Sequence, residues 1–189
     1  NNIYKDKKVL ITGNTGFKGT WLSIWLRMLQ AKVYGFSSSY PSQPSMFKAL
    51  KVKNKINHVV GDVRDLQSCS ELIEKVKPDF IFHLAAQALV SISYADPIDT
   101  ISTNVIGTMN ILEALRKSNH HCNCIIITSD KCYDNVEWLW GYKETDALGG
   151  KDIYSGSKGA AELIFKSYYH SYFKNNQTKA KIVTARAGN

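Results

Sequence analysis

The chain has 189 residues, 44% of them hydrophobic and 21% charged, with a formal net charge of +8. That composition suits a globular chain with one sizeable core, and no apolar run approaches the roughly 18 residues of a membrane-spanning helix. Asn1 to Lys8 is polar and basic without an apolar stretch, so no secretory signal is expected and the chain reads as cytoplasmic.

The charge is unevenly placed. Residues 1–61 hold ten Lys/Arg and one acid, Asp6, a balance of +9; residues 62–189 hold fourteen basic and fifteen acidic residues, a balance of −1. A basic first third attracts phosphate-bearing molecules or is simply a solvated face. Lys48, Lys51, Lys53 and Lys55 lack the interleaved aromatics of a single-strand-binding platform, so neither nucleic acid nor membrane is expected as a partner. Cys69, Cys122, Cys124 and Cys132 follow no C-x-x-C or zinc spacing, even beside His120-His121. They read as reduced thiols, and no metal is expected.

In chain order, Lys8–Thr12 reads as a strand and Phe17–Leu29 as a helix, with Trp21, Leu22, Trp25, Leu26 and Leu29 at 3.6-residue spacing. Lys32–Phe36 is a second strand, Ser37–Pro44 a loop, Phe47–Leu50 a weak helix and His58–Val60 a third strand. Leu66–Lys77 is a helix that stops before Pro78, and Asp79–His83 a fourth strand. Pro97–Lys117 forms one long helix, Cys124–Thr128 a fifth strand, and a long loop leads to a helix from Tyr154 to Phe173. Lys181–Ala185 closes as a sixth strand. Runs such as Val9-Leu10-Ile11 and Ile125-Ile126-Ile127 are apolar at every position, as in strands covered on both faces. Alternation with helices then implies an α/β, doubly wound parallel sheet of the Rossmann type, with ligands at the carboxyl ends of the strands.

Those ends hold the informative residues. Gly13, Gly16 and Gly19 stand where the first strand hands over to the first helix. Gly13 can make the turn, Gly16 can admit a pyrophosphate closely, and Gly19 can let helix pack on strand. Thr15, Phe17 and Lys18, between the glycines, join them as cofactor-binding candidates, because the helix start aims N–H groups and a positive dipole end there. An acid for the ribose 2′-hydroxyl belongs at the end of the second strand, yet that place reads Phe36-Ser37-Ser38-Ser39 with no arginine either. NAD and NADP therefore both remain open on the residues alone. Asp62-Val63 stands where the adenine amine needs an acceptor, or Asp62 is a turn or cap. Leu84, Ala85, Ala86 and Gln87 pass the cofactor by backbone, and Asn104 lies nearby or is only a helix residue.

Tyr154 and Lys158 share one helical face at i, i+4. A nearby cation favours the phenolate, so the tyrosine can serve as a base. The pair follows the strand ending in Thr128-Ser129-Asp130, whose hydroxyls can reach the same substrate oxygen.

"TGNTGFKG", "GDVRD", "HLAAQ", "TNVIGT", "TSDK" and "YSGSK" resemble, in order, the motifs of the extended short-chain dehydrogenase/reductase family, the NAD-dependent epimerases and dehydratases, and cover essentially the whole chain. Within it, "GNTGFKGTWLSIWL", "SDKCYDNVEWLWGYKE" and "RAGN" resemble the CDP-glucose 4,6-dehydratases; Asp130-Lys131 stands where dTDP-glucose enzymes usually place Asp-Glu. The resemblance implies NAD as resident cofactor and CDP-glucose as substrate. It gives Tyr154 the proton of the sugar 4-hydroxyl, Ser129 a hydrogen bond to that oxygen, and Lys158 the nicotinamide ribose. Asp130 protonates the departing 6-hydroxyl, and Lys131 lies near C5 as base or relay, unless it is a solvated lysine. Trp138 and Trp140 line the sugar or nucleotide pocket or merely pack. The product, a 4-keto-6-deoxy sugar, belongs to deoxysugar and surface-polysaccharide synthesis.

Members of that family run well beyond this length, so residues 1–189 are expected to be the dinucleotide-binding domain of a longer protein whose remainder carries most sugar and nucleotide contacts. The rivals are another nucleotide-sugar 4,6-dehydratase, a 4-epimerase and, in a different class, a non-catalytic dinucleotide-binding module. A homodimer or homotetramer is expected by resemblance, through Pro97–Lys117 and Tyr154–Phe173, with Tyr168, Tyr169 and Tyr172 at the interface or in the core.

Overall fold

Aliphatic runs dominate the central strands of the six, Lys8–Thr12 (β1), Lys32–Ser37 (β2), Asn57–Val60 (β3), Phe80–His83 (β4), Cys122–Ser129 (β5) and Ala180–Ala187 (β6). In the computed structural model, which describes residues 2–175 and 178–188, they form one all-parallel sheet of order β3-β2-β1-β4-β5-β6. The connecting helices are Phe17–Met28 (α1), Met46–Ala49 (α2), Leu66–Val76 (α3), Val90–Ala95 (α4), Pro97–Ile101 (α5), Gly107–Lys117 (α6) and Ile153–Tyr168 (α7). Strand order reverses between β1 and β4, which opens the crevice where doubly wound sheets take ligands. The α/β fold expected from the sequence is thus the observed one. Asn189, last residue of the RAGN motif, lies outside the described residues.

Local chemistry explains the helix ends. Asp65 caps α3 by accepting from Gln67 N at 2.9 Å, and Lys77 ends it in the left-handed region, φ 49°, just before Pro78. The buried face of α3 carries Cys69, Leu72, Ile73 and Val76 at helical spacing. These pack with Ile111, Leu112 and Leu115 of α6 onto Leu10, Ile81 and Ile126 of the sheet. Burying each such aliphatic side chain stabilises by roughly 1.5–3 kcal/mol. On the opposite face Leu26 of α1 covers Val9, Ile11 and Val33, with Phe80 and Phe82 alongside.

Coverage is therefore asymmetric, contrary to the expectation of strands buried on both faces. Val9, Leu10 and Ile11 of β1 are at most 1% exposed, but β5 and β6 alternate: Ile126 is 1% exposed while Val183 is 54%. The reason is that α3, α6 and α7 span one face, whereas α1 reaches only β1, β2 and β4 on the other. The expected single helix Pro97–Lys117 is interrupted by a π-helical turn, Ser102–Ile106, and α7 continues into another, Tyr169–Phe173. The short α4 was not expected. Its Val90, Ile92 and Tyr94 alternate with serines in strand-like fashion, and all three are exposed. Among the described residues no helix is long and apolar enough to cross a membrane.

Candidate active site

The glycine turn lies against the end of β4. Gly13 has φ +71°, and a Cβ there would stand 2.7 Å from Ala85 N. A Cβ on Gly19 would collide with the Gly13 carbonyl, so α1 can begin only where no side chain intervenes. Gly16 is different: an added Cβ would meet Gly13 O alone, at 3.3 Å, and otherwise open space. Gly16 begins α1 without a side-chain cap, which leaves first-turn N–H groups for a ligand. Phe17 is 70% exposed and Lys18 is also exposed.

Thr15 faces inward; its hydroxyl donates to Ser39 O at 2.6 Å and so holds the serine loop. Asn14 binds the turn to the neighbouring strands. It accepts from Ser37 Oγ at 2.7 Å and meets His58 Nδ1 at 3.1 Å. At the end of β3, Arg64 donates three side-chain hydrogen bonds to Asp62 and reaches Asp99 of α5 at 2.6 Å. Those bonds hold the Asp62 carboxyl below its ordinary range, against a smaller opposing effect of burial. Val63 is buried, and its backbone oxygen accepts from Asn110 Nδ2 at 2.9 Å.

A chain of buried polar contacts shapes the loop after β4. Ala85 N donates to Thr12 Oγ1 at 3.2 Å, and Thr12 Oγ1 meets His83 Nδ1 at 2.7 Å. Thr108 Oγ1 donates to Asn104 O at 2.7 Å and stands 3.2 Å from His83 Nε2. Since the Thr108 proton is spent on Asn104, the ring carries its hydrogen on Nε2 and accepts from Thr12 on Nδ1. Complete burial, with Lys158 adding to it, lowers His83 to about 3, so the ring is neutral. Asn104, 2% exposed in the π turn, accepts from Gln87 N at 2.9 Å and donates to Gln87 O and to Ser157 Oγ at 2.8 Å. Leu84, Ala85, Ala86 and Gln87 are thereby half-buried between the glycine turn and α7.

Ser129 and Asp130 end β5 and open a single 3-10 turn, Asp130–Cys132. Ser129 Oγ donates to Asp130 Oδ1 at 2.9 Å, and Lys131 Nζ lies 3.1 Å from Asp130 Oδ2. Burial pushes the Asp130 carboxyl up, but these two partners outweigh it and hold it below the usual carboxylate range. Asp152 caps α7 through Ser155 N, which places Tyr154 half-buried in its first turn and Lys158 one turn later, 7% exposed. Burial, then the like charge of Lys18, brings Lys158 down to about 8 against a smaller opposing effect of Cys132, and no carboxylate among the described residues forms an ion pair with it. A cleft of about 520 Å³ runs beside Asp130, Lys131, Lys151 and Asp152, walled by Tyr133 and Tyr142. Tyr142 stacks on Tyr133 at 5.1 Å and meets Trp138 at 5.2 Å, while Trp140 is 72% exposed. All four cysteines are buried and unbridged; burial pushes Cys69 and Cys122 to about 12 and leaves those thiols unreactive.

Of the site residues expected from the sequence, those of the glycine turn, Asp62-Val63, Leu84 to Gln87 and Ser129 to Lys131 lie at the carboxyl ends of β1, β3, β4 and β5, while Asn104 lies in the π turn and Tyr154 and Lys158 on α7. Asn14, Arg64, His83 and Asn110 were not among them. The first three carried a usable signal, their places inside the TGNTG, GDVRD and HLAAQ motifs.

A protein-family model described as GDP-mannose 4,6 dehydratase matches residues 10–178. The CDP-glucose 4,6-dehydratase of Salmonella typhimurium is 43% identical over the whole chain, which covers 53% of that protein. The CDP-paratose 2-epimerase of Salmonella typhi is 31% identical, over 85% of this chain and 52% of its own. A crystal structure of UDP-glucose 4-epimerase from Brucella ovis in complex with NAD superimposes with TM-score 0.80 at 26% identity, covering 97% of this chain and 52% of that one. The chain spans about half the length of the curated relatives it matches. With its parallel sheet, its glycine turn and its Tyr154–Lys158 helix, the chain belongs to the GDP-mannose 4,6-dehydratase family.

Proposed function

We propose that the full-length protein is an NAD-dependent CDP-glucose 4,6-dehydratase that forms CDP-4-keto-6-deoxyglucose for deoxysugar synthesis. The observation that carries this reading is the packing of α7, which bears Tyr154 and the buried Lys158, against the Asp130–Cys132 turn that follows Ser129: a Cβ on Gly159 would stand 3.3 Å from Cys132 O. The identity to the Salmonella CDP-glucose enzyme supports the nucleotide.

The residues fit a dinucleotide. Gly13 and Gly16 leave the backbone bare, α1 begins uncapped, and Lys158 is an ammonium that burial disfavours without a counter-charge. Gly13, Gly16 and the first turn with Phe17 and Lys18 would hold the pyrophosphate. Thr15 and Gly19 would shape that turn, Asp62 and Val63 would take the adenine side, Leu84 to Gln87 would pass along the cofactor, and Asn104 would fix Gln87. Bound there, NAD would supply the redox chemistry, the oxidation at sugar C4 and the reduction at C6.

The chain supplies positioning and proton transfer. Tyr154 takes the proton of the 4-hydroxyl while Ser129 hydrogen-bonds the same oxygen, and the Lys158 cation steadies the charge that builds there. The 4-keto group acidifies the C5 proton. Asp130 is an ionised carboxylate in contact with an ammonium, so the proton it hands to the departing 6-hydroxyl comes from Lys131. The amine left on Lys131 then accepts the C5 proton, and water is lost across C5–C6. A 4-epimerase has no departing 6-hydroxyl and no need of this pair.

Residues 1–189 act as the dinucleotide-binding domain in this reading. The exposed Ile98 of α5 and Leu163 of α7, 77% and 53% accessible, support self-association through those helices, and the cytoplasm suits the unbridged cysteines. The test is to incubate full-length protein with NAD and CDP-glucose, and separately with dTDP-glucose or GDP-mannose, following the 4-keto product by its alkaline absorbance. Product is expected from CDP-glucose and is expected to fall on the order of 10²–10⁴-fold in Tyr154→Phe. Turnover of another sugar nucleotide alone overturns the substrate, and no turnover of any overturns the enzyme.

A further inference from the structure

One turn beyond Lys158 and two beyond Tyr154, α7 carries Glu162, 3% exposed. A lone carboxylate at that depth is strongly disfavoured, and this one is fully engaged. Thr128 Oγ1 donates to Oε1 at 2.5 Å; Thr184 Oγ1 and Arg186 Nη2 donate to Oε2 at 3.3 and 3.1 Å. Arg186 reaches further. Its Nη1 donates to Glu144 O at 3.2 Å, and its guanidinium lies 4.8 Å from the centre of the Tyr133 ring. The side chains of the pair are 4% and 16% exposed. One ion pair thus ties α7 to the carboxyl ends of β5 and β6 and to the loop that follows the Asp130–Cys132 turn.

We infer that Glu162 and Arg186 are positioning residues that hold the Tyr154–Lys158 turn in register with Ser129 and Asp130; the inference rests on the proposed activity. Neither residue is part of the reacting set. Two of the groups they engage adjoin it, since Thr128 precedes Ser129 and Tyr133 follows the turn that Asp130 opens, and Glu162 itself is one turn from Lys158. A buried ion pair is a poor choice for stability alone, because well-packed apolar residues of the same volume often do as well or better. It differs from apolar packing in being directional: a carboxylate with three donors in fixed places admits one arrangement of helix and strands. The helix also has no slack. A Cβ at Gly159 would stand 2.8 Å from Gly149 O and 3.3 Å from Cys132 O, so the α7 backbone already touches the catalytic turn.

The experiment uses the full-length protein with Glu162→Gln, Arg186→Met and the double variant. Glu162→Gln keeps the shape and loses the charge; the double variant removes both charges together and so restores the balance. Three readouts are taken: thermal midpoint, kcat and KM for CDP-glucose, and amide hydrogen exchange of residues 128–134 and 153–159 in cofactor-free protein. Positioning is supported by a kcat loss on the order of 10²-fold with KM within about twofold. It further requires faster exchange in both segments, and a double variant that regains the thermal midpoint but not kcat. It is overturned if kcat holds, or if kcat returns in step with the thermal midpoint, which is the behaviour of a merely structural pair. Should the parent turn over no sugar nucleotide, the proposed function fails by itself. Exchange in the cofactor-free variants then decides alone, unchanged rates in either segment overturning the inference and faster rates in both sustaining it.

Discussion

Gly13→Ala and Gly16→Ala are expected to separate two jobs within one turn. At Gly13 the added methyl carbon meets two penalties. The backbone sits at φ +71°, a conformation that costs an L-residue about 1–2 kcal/mol. The carbon would also stand 2.7 Å from Ala85 N and 2.8 Å from Leu84 C, backbone that cannot swing aside, and overpacking of that kind costs about 1–3 kcal/mol more. Gly13→Ala should therefore lose about 2–5 kcal/mol of stability without any ligand present. At Gly16 the backbone is ordinary, φ −71° and ψ 171°, and the only neighbour within reach is Gly13 O at 3.3 Å. Gly16→Ala should stay within about 1 kcal/mol of the parent. Its methyl would stand at the proposed pyrophosphate site, so affinity for NAD should fall at least about tenfold, or ~1.4 kcal/mol. Urea denaturation of cofactor-free full-length protein reads the first effect, and titration with NAD followed by tryptophan fluorescence reads the second. A Gly13→Ala protein as stable as the parent refutes the close approach of β1 and β4 at that point. Parental NAD affinity in Gly16→Ala refutes the pyrophosphate site.

Two further expectations concern buried titrating groups. Lys158 titrates near 8 in the fold against an ordinary 10.5, so the folded chain holds fewer protons than the unfolded one between those values and stability rises with pH across that window. The penalty, up to ~3 kcal/mol, is fully present below pH 8. Cofactor-free Lys158→Met should therefore exceed the parent in urea stability at pH 7 and lose that advantage by pH 10.5; a difference that does not vary with pH refutes the burial of a charged lysine. His83 titrates near 3 against an ordinary 6.5, so the unfolded chain takes up protons first as pH falls, and stability drops between pH 6.5 and pH 3 by up to ~5 kcal/mol. His83→Gln should flatten that acid limb, and an unchanged limb assigns acid sensitivity to other groups.

The strand-and-helix frame was legible because its signals are local. A continuous aliphatic run marks β1, and an Asp cap and a following proline bracket α3. Helical spacing marks α1 as a helix but not its buried side, which is Gly19, Thr20, Ser23 and Leu26; Trp21 and Trp25 of the expected apolar face are exposed. Legibility failed where burial depends on what lies across the sheet. Ile125 and Ile127 look like core residues in the sequence, yet they are half-buried, because no described helix reaches that part of the face. Hydrophobicity records what a residue prefers, while coverage is decided by elements far away in the chain. The π turn Ser102–Ile106 was likewise invisible. One residue added to a coil leaves composition and spacing unchanged, although it brings Asn104 inward.

The groups proposed to react are contiguous or local in sequence, as the frame's signals are. Tyr154 and Lys158 are an i, i+4 pair, Ser129 to Lys131 are contiguous, and the three glycines lie within seven residues. What sets the distances between these groups is long-range. Thr12 and His83 are 71 positions apart, Asn104 and Ser157 are 53 apart, and Thr128 and Glu162 are 34 apart. Each of these contacts is buried, and each joins two elements that bring a functional group to the crevice. A buried polar group left unpaired costs about 1–3 kcal/mol, so once the chain carries these side chains inside, only the arrangement that pairs them all is stable. The polar ties thus convert a stack of helices on a sheet, which apolar packing alone would leave free to shift by tenths of an ångström, into a fixed set of distances. A polar residue that reads as ordinary in the sequence, such as Asn104, becomes informative only when its partner is known. For that reason motifs suffice here to propose a chemistry, whereas the distances among its groups are read only from the structure.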